Sequence, residues 1–182
     1  MQASIRTLAD LLNERNLLDE RIAQLIGRPA SPGHIGEYIA AAVFRIDLFP
    51  SATHKAADGV FREGPLQGKS VNVKLYGKQE GILDIRPDAL PDFYLVLSGP
   101  RSQPTSSRGS IRPLTIQHAY LFDSAELASL LKARGTNLGP ASSVPQALWE
   151  TAEVWPSATN SRIHLDRDQT EALGLFSSRT GA

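Results

Sequence analysis

Apolar residues recur at helical spacing from residue 4 to residue 26: Leu8, Leu11, Leu12, Leu18, Ile22, Leu25 and Ile26. Asn13, Glu14, Arg15, Asp19, Glu20 and Arg21 make the polar side. The pattern predicts an amphipathic helix, with Asn16 as one place where it could break into two. Residues 27–33, with Pro29 and Pro32 between two glycines, read as a turn. Ile35, Ile39, Ala42 and Val43 share one face of a second predicted helix over 34–44, and the small Ala40 and Ala41 suit close packing on a sheet. Ile46 and Leu48 alternate with polar positions, which predicts a short strand over 45–49, ended by Pro50.

From there the period changes to two. Residues 54–61 and 70–76 predict two strands joined by the turn-rich Gly64-Pro-Leu-Gln-Gly68. Residues 92–97 form a mostly apolar run between Pro91 and Gly99-Pro100, which suits a central strand. A long loop rich in serine and arginine over 98–113 precedes another predicted strand, 114–122. Asp123 caps a helix that runs to Lys132 or Arg134 before Gly135. Ser142-Ser143 reads as the cap of a further helix, with Pro145 in its first turn and an end near Val154. Asp166 or Asp168 caps a last helix reaching Phe176. The expected fold class is α/β, one domain with a mixed sheet and flanking helices. Residues 1–28 form an N-terminal helical extension, 33–122 the core, and 123–176 C-terminal helices.

Composition narrows the chemistry. The 182 residues fit one domain, and 41% hydrophobic content is enough to bury a core. No cysteine is present, which excludes disulfides, cysteine–zinc sites and thiol catalysis. Lys+Arg and Asp+Glu both number 19, so net charge is zero. That argues mildly against a nucleic-acid partner and leaves a local basic patch as the route to one. No apolar stretch approaches the ~18 residues of a membrane-spanning helix, and the start does not read as a signal-peptide core. A cytoplasmic protein is expected. No Gly-rich phosphate loop, dinucleotide fingerprint, Gly-x-Ser-x-Gly elbow or paired-His zinc motif occurs. Trp149, Trp155 and Tyr120 are expected in the core.

The candidate chemistry lies in the hairpin. If the two strands fold about Leu66, Asp58 faces Lys74 and Val60 faces Asn72, while Val71, Val73 and Leu75 turn to the core. Asp58, Asn72 and Lys74 then share one face, and a slip of one residue would separate Asp58 from Lys74. Such a cluster suits phosphodiester hydrolysis. An acid and a carbonyl oxygen hold Mg²⁺, and a lysine orients the attacking water. Glu37, on the preceding helix, is the candidate second acid. The bland reading of Asp58 and Lys74 is a cross-strand ion pair. His34, His54, His118 and His164 are expected in surface or packing roles.

Gly36-Glu37 on a helix, Asp58-Gly59 on a strand, Asn72-x-Lys74 on the next and the apolar strand through Tyr94–Leu97 resemble the PD-(D/E)XK, restriction-endonuclease-like nucleases. The resemblance covers residues 33–98. It implies a core of helix, three strands, helix and strand, and an endonuclease, a hydrolase acting on DNA with magnesium (or Mn²⁺). It further implies that Asp58 binds metal, that Lys74 is the motif lysine and that Glu37 is the helix acid. Asn72 stands where the family carries an acid or Gln, and 77–90 does not read as a helix. Asn72 then offers the metal only a carbonyl oxygen, and Glu80 or Asp84 compensates if the chain folds back. Lys55, Lys69, Lys78, Arg101, Arg108 and Arg112 are the candidates for phosphate contacts. A restriction-like enzyme often cuts both strands as a dimer, so a homodimer is one arrangement the resemblance allows. The alternative is a non-catalytic nucleic-acid-binding or assembly module on the same scaffold.

Overall fold

A computed structural model describes residues 2–50, 56–102 and 113–177. The first apolar stripe forms one helix, α1 (Gln2–Ile26), unbroken at Asn16. It contains neither glycine nor proline, so nothing in it interrupts the hydrogen-bond ladder. Helix α2 (Pro32–Phe44) begins at Ser31, whose hydroxyl accepts from the His34 N–H. Strands β1 (Ile46–Leu48), β2 (Gly59–Phe61) and β3 (Ser70–Tyr76) form an antiparallel meander. A short β4 (Ile82–Leu83) precedes β5 (Phe93–Ser98), which lies parallel to β3, and β6 (His118–Asp123) runs antiparallel to β5. There follow α3 (Ser124–Ala133), β7 (Ser142–Ser143), α4 (Gln146–Ala152), β8 (Glu153–Trp155) and α5 (Arg167–Gly174). The main sheet is mixed, with order β1-β2-β3-β5-β6-β8, and β4 pairs with β7 beside it.

Alternation along the strands divides the core in two. Val71, Val73, Phe93, Leu95, Leu97, Ala119 and Leu121 face one side, where Ile39, Ala40, Val43 and Phe44 of α2 cover them. On the other side Tyr94, Val96, Tyr120 and Phe122 pack against Leu83, Ile85, Leu127, Leu131 and Trp149. Trp149 is fully buried, edge-on to Tyr120 and Phe122 with ring centroids 4.8 and 4.9 Å away. Trp155 is only half-buried, against the first core.

Four sequence expectations change. The hairpin pairs Gly59 with Val71 and Val60 with Ser70, so Lys74 does not lie opposite Asp58. The reason is the turn. Gly68 takes a positive φ and donates to Phe61 O, while the Phe61 N–H donates to Lys69 O. Two residues thus stand against Phe61, as in a bulge, and the hairpin closes early. Secondly, β2 and β6 are shorter than predicted, at three and six residues. Ser142-Ser143, thirdly, is a strand and not a helix cap: Ser142 Oγ bonds Gly139, and α4 starts at Pro145 without a side-chain cap. Finally, α4 stops at Ala152, and Glu153–Trp155 becomes an edge strand of the main sheet. The C-terminal segment is therefore not purely helical. As expected, 77–90 contains no helix, and Asp123 and Asp166 cap α3 and α5.

Candidate functional site

The site forms where β2 peels away from β3. Gly36 lets α2 sit directly on β3, since a Cβ there would come within 2.7 Å of Leu75 Cβ. Glu37 is the next residue along α2. Glu37 is half-buried and ion-paired with Arg28. Asp58 continues β2 backwards, its N–H donating to Val71 O at 2.8 Å. Its carboxylate Oδ2 accepts from the Val73 N–H at 2.7 Å, in the place of a missing strand partner.

Burial pushes the Asp58 carboxyl above its usual range, against the pull of the Val73 N–H. Glu37 pushes it further in the same direction, while Lys74 and Arg28 oppose. Glu37, Asp58, Lys74 and Arg28 therefore share one electrostatic neighbourhood, drawn from the α1–α2 turn, α2, the approach to β2 and β3.

On β3 the predicted division of faces is present. Val71 and Val73 are buried in the first core with Leu75 packed against it, and Asn72 and Lys74 are half-buried on the reverse. The register offset of two residues preserves alternation, so it moves the pairing without turning either side chain over. Asn72 Nδ2 donates to Ala56 O at 3.3 Å, which fixes the amide's orientation. Its Oδ1 is buried and has no hydrogen-bond partner.

Lys74 does not bond Asp58. Its Nζ lies 2.9 Å from Asp84 Oδ2, in the crossover between β3 and β5. That crossover is strapped over the Asn72–Lys74 face. Leu83 and Ile85 plug into the second core, and the N–H groups of Asp84 and Arg86 donate to the hydroxyls of Tyr76 and Tyr94. Burial drives the Tyr76 phenol up to about 12, so it stays protonated. Asp84, one of the two acids the sequence offered beyond β3, is thus the counter-ion of Lys74. Among the described residues, no three His, Asp or Glu side chains are grouped so as to hold a metal ion.

The proposed phosphate contacts divide. Lys55, Arg108 and Arg112, with His54, lie outside the described residues. Lys69 is 3.3 Å from Asp92, and it precedes β3 while Lys78 follows it. The seven residues of β3, about 23 Å of extended chain, lie between the two. Arg101 is held by the Tyr120 hydroxyl and Glu153, both at 3.4 Å.

The same network contains a residue that no sequence pattern singled out. His118 Nδ1 lies 2.6 Å from Glu153 Oε1, and Glu153 is buried. His118 and Glu153 meet across β6 and β8, with a bulge between Ala119 and Tyr120. His34 is turned to the Pro29 carbonyl at 2.8 Å, and His164 is exposed. Two open clefts of about 570 Å³ each adjoin Asp123 and Arg162, and neither is lined by Glu37, Asp58, Asn72 or Lys74. Among the described residues no helix is long and apolar enough to cross a membrane. No model of a known protein family and no curated protein matches the chain.

Proposed function

We propose that this chain is a divergent metal-dependent nuclease-like protein, of the restriction or defence type, hydrolysing phosphodiester bonds in DNA. The observation that carries the reading is the orphaned Asn72 Oδ1, on the strand face that bears Lys74 and one residue before Val73, whose N–H holds the Asp58 carboxylate. A buried carbonyl oxygen without a donor costs about 1–3 kcal/mol unless something binds it. The element order supports the same reading: a helix, an antiparallel three-strand meander, a crossover, and a strand parallel to the third.

Mg²⁺ fits this donor set in kind, because it usually takes one or two carboxylates and leaves its other positions to water and substrate phosphate. Asp58 and Asn72 would hold it, with Glu37 assisting. When bound, it polarises the phosphate and makes a water more nucleophilic. Asp58 presents a carboxylate fixed by the Val73 N–H. Asp84 holds the Lys74 ammonium on the same face, where Lys74 offsets phosphate charge and orients water. Tyr76 and Tyr94 keep the strap that carries Asp84 in place.

A second reading has its own support. Glu37 is neutralised by Arg28 and Lys74 by Asp84, which suits a binding or assembly module that has lost its chemistry. Calorimetric titration with Mg²⁺ and Mn²⁺, followed by incubation with DNA and RNA, separates the two. The nuclease reading expects metal-dependent cleavage that Asp58→Ala and Lys74→Ala each abolish, and tighter metal binding in Asn72→Asp. Salt-sensitive binding without cleavage would favour the module. Cleavage that survives both substitutions would remove the site.

A further inference from the structure

We propose that α1 pairs antiparallel with α1 of a second copy of this chain. The proposal is independent of the nuclease reading. Most of the apolar stripe of α1 is exposed: Ile5, Leu8, Leu11, Leu12 and Leu18 are all 46–62% exposed, and Leu25 is 72% exposed. Among the described side chains of α1, only Asp19, Ile22, Ala23 and Ile26, at the end that meets α2, are half-buried. A helix with a leucine stripe draws its stability from burying that stripe, and isolated helices are marginal in water.

The occupant follows from the heptad. With Leu8, Arg15 and Ile22 at positions a, the d positions are Leu11, Leu18 and Leu25, and Leu12 and Ile26 widen the stripe at e. Laid antiparallel about a twofold axis between Arg15 and Leu18, every layer is an a–d pair. Leu8 of one copy meets Leu25 of the other, Leu11 meets the side of Ile22 that α2 leaves open, and Arg15 meets Leu18. Arg15 brings its own counter-ion, Asp19, at 3.4 Å. A single charged a position is a device that selects one register over its neighbours.

Charge selects the direction. The g positions flanking this seam are Glu14 and Arg21. In the antiparallel pair Glu14 of each copy lies beside Arg21 of the other, giving two attractive contacts. A parallel in-register pair would set Glu14 beside Asp19 of the other copy and stack Arg15 on Arg15, both repulsive. The stripe is thus self-complementary in one orientation alone.

Sedimentation equilibrium of the full chain tests this, with the near-ultraviolet signal of Trp149 and Trp155 as the control for an intact body. A dimer is expected, and Leu11→Glu with Leu18→Glu should convert it to a monomer with an unchanged aromatic signal. Glu14→Arg alone and Arg21→Glu alone should each weaken the dimer several-fold, and the two together should restore it. A monomeric wild-type chain would overturn the proposal, as would a dimer that survives the double leucine substitution. Tightening by Glu14→Arg alone would overturn the antiparallel orientation.

Discussion

At the scale of single residues, Asp58 carries two burdens, and they conflict. Its carboxylate closes the β3 edge by accepting from Val73, yet it lies half-buried near Glu37, which raises its pKa. A carboxyl with a raised folded-state pKa binds more protons folded than unfolded, so ionising it costs stability as pH rises above the ordinary 3.8. Asp58→Asn keeps an acceptor for Val73 and removes the charge. It should therefore be more stable than the wild type in urea titrations at neutral pH, with the difference closing as pH falls below 3.8. A variant less stable at neutral pH would mean that the Val73 hydrogen bond, with Lys74 and Arg28, outweighs burial. Asp92 behaves in the opposite sense. Its contacts with the Ser70 hydroxyl and N–H, with Lys69 adding to them, hold its pKa down, so its contribution is present at neutral pH and lost in acid. The candidate residues Glu37, Asp58, Asn72 and Lys74 were legible one by one because acids, amides and lysines in a strand-pair pattern are few. Their partners were not. Arg28 and Asp84 are supplied by a turn and by the crossover, where no periodicity marks a side chain's direction, and the Val73 N–H comes from the β3 backbone.

At the scale of elements, the seat of α2 on β3 decides whether the site exists. The contact depends on Gly36, because any side chain there must displace Leu75 or the helix. Gly36→Ala should cost about 1–3 kcal/mol, the range for overpacking a well-filled core, despite alanine's better helix propensity. Denaturant midpoints check the direction: a gain in stability would mean that α2 can lift off β3 freely. The helices were easy to read, since α1 and α2 carry apolar stripes, and α3 and α5 carry Asp caps that bond Glu126 and Gln169 as the sequence implies. The small strands were not. Ile82–Leu83 and Ser142–Ser143 are two residues each, too short for alternation to register, and they exist because each supplies the other's backbone partners. The sequence pattern carries the preceding helix on to about Val154, into the strand Glu153–Trp155, for the same reason. Its apolar residues suit either state, and the free edge of β6 decides between them.

At the scale of the whole molecule, α1 stands apart from a body built around one sheet. Removing residues 2–15 should leave the thermal unfolding of the body unchanged while abolishing self-association, a pair of outcomes readable by calorimetry and sedimentation. A large fall in melting temperature would show that α1 belongs to the body's core. Zero net charge also bounds any DNA complex. With Lys69 and Arg101 engaged in internal ion pairs, binding should depend on salt less steeply than for a strongly basic protein, since few phosphates are neutralised. By itself, the sequence determined the α/β class, most of the helices, the central strands and which face of β3 is polar. These follow from the period of apolar residues, a property of near neighbours along the chain. Only the tertiary structure decided the hairpin register, the strap that brings Asp84 to Lys74, the orphaned Asn72 oxygen and the union of His118 with Glu153. Those depend on where a turn closes and on which distant segment fills the remaining space, and neither leaves a repeating mark on the residues involved.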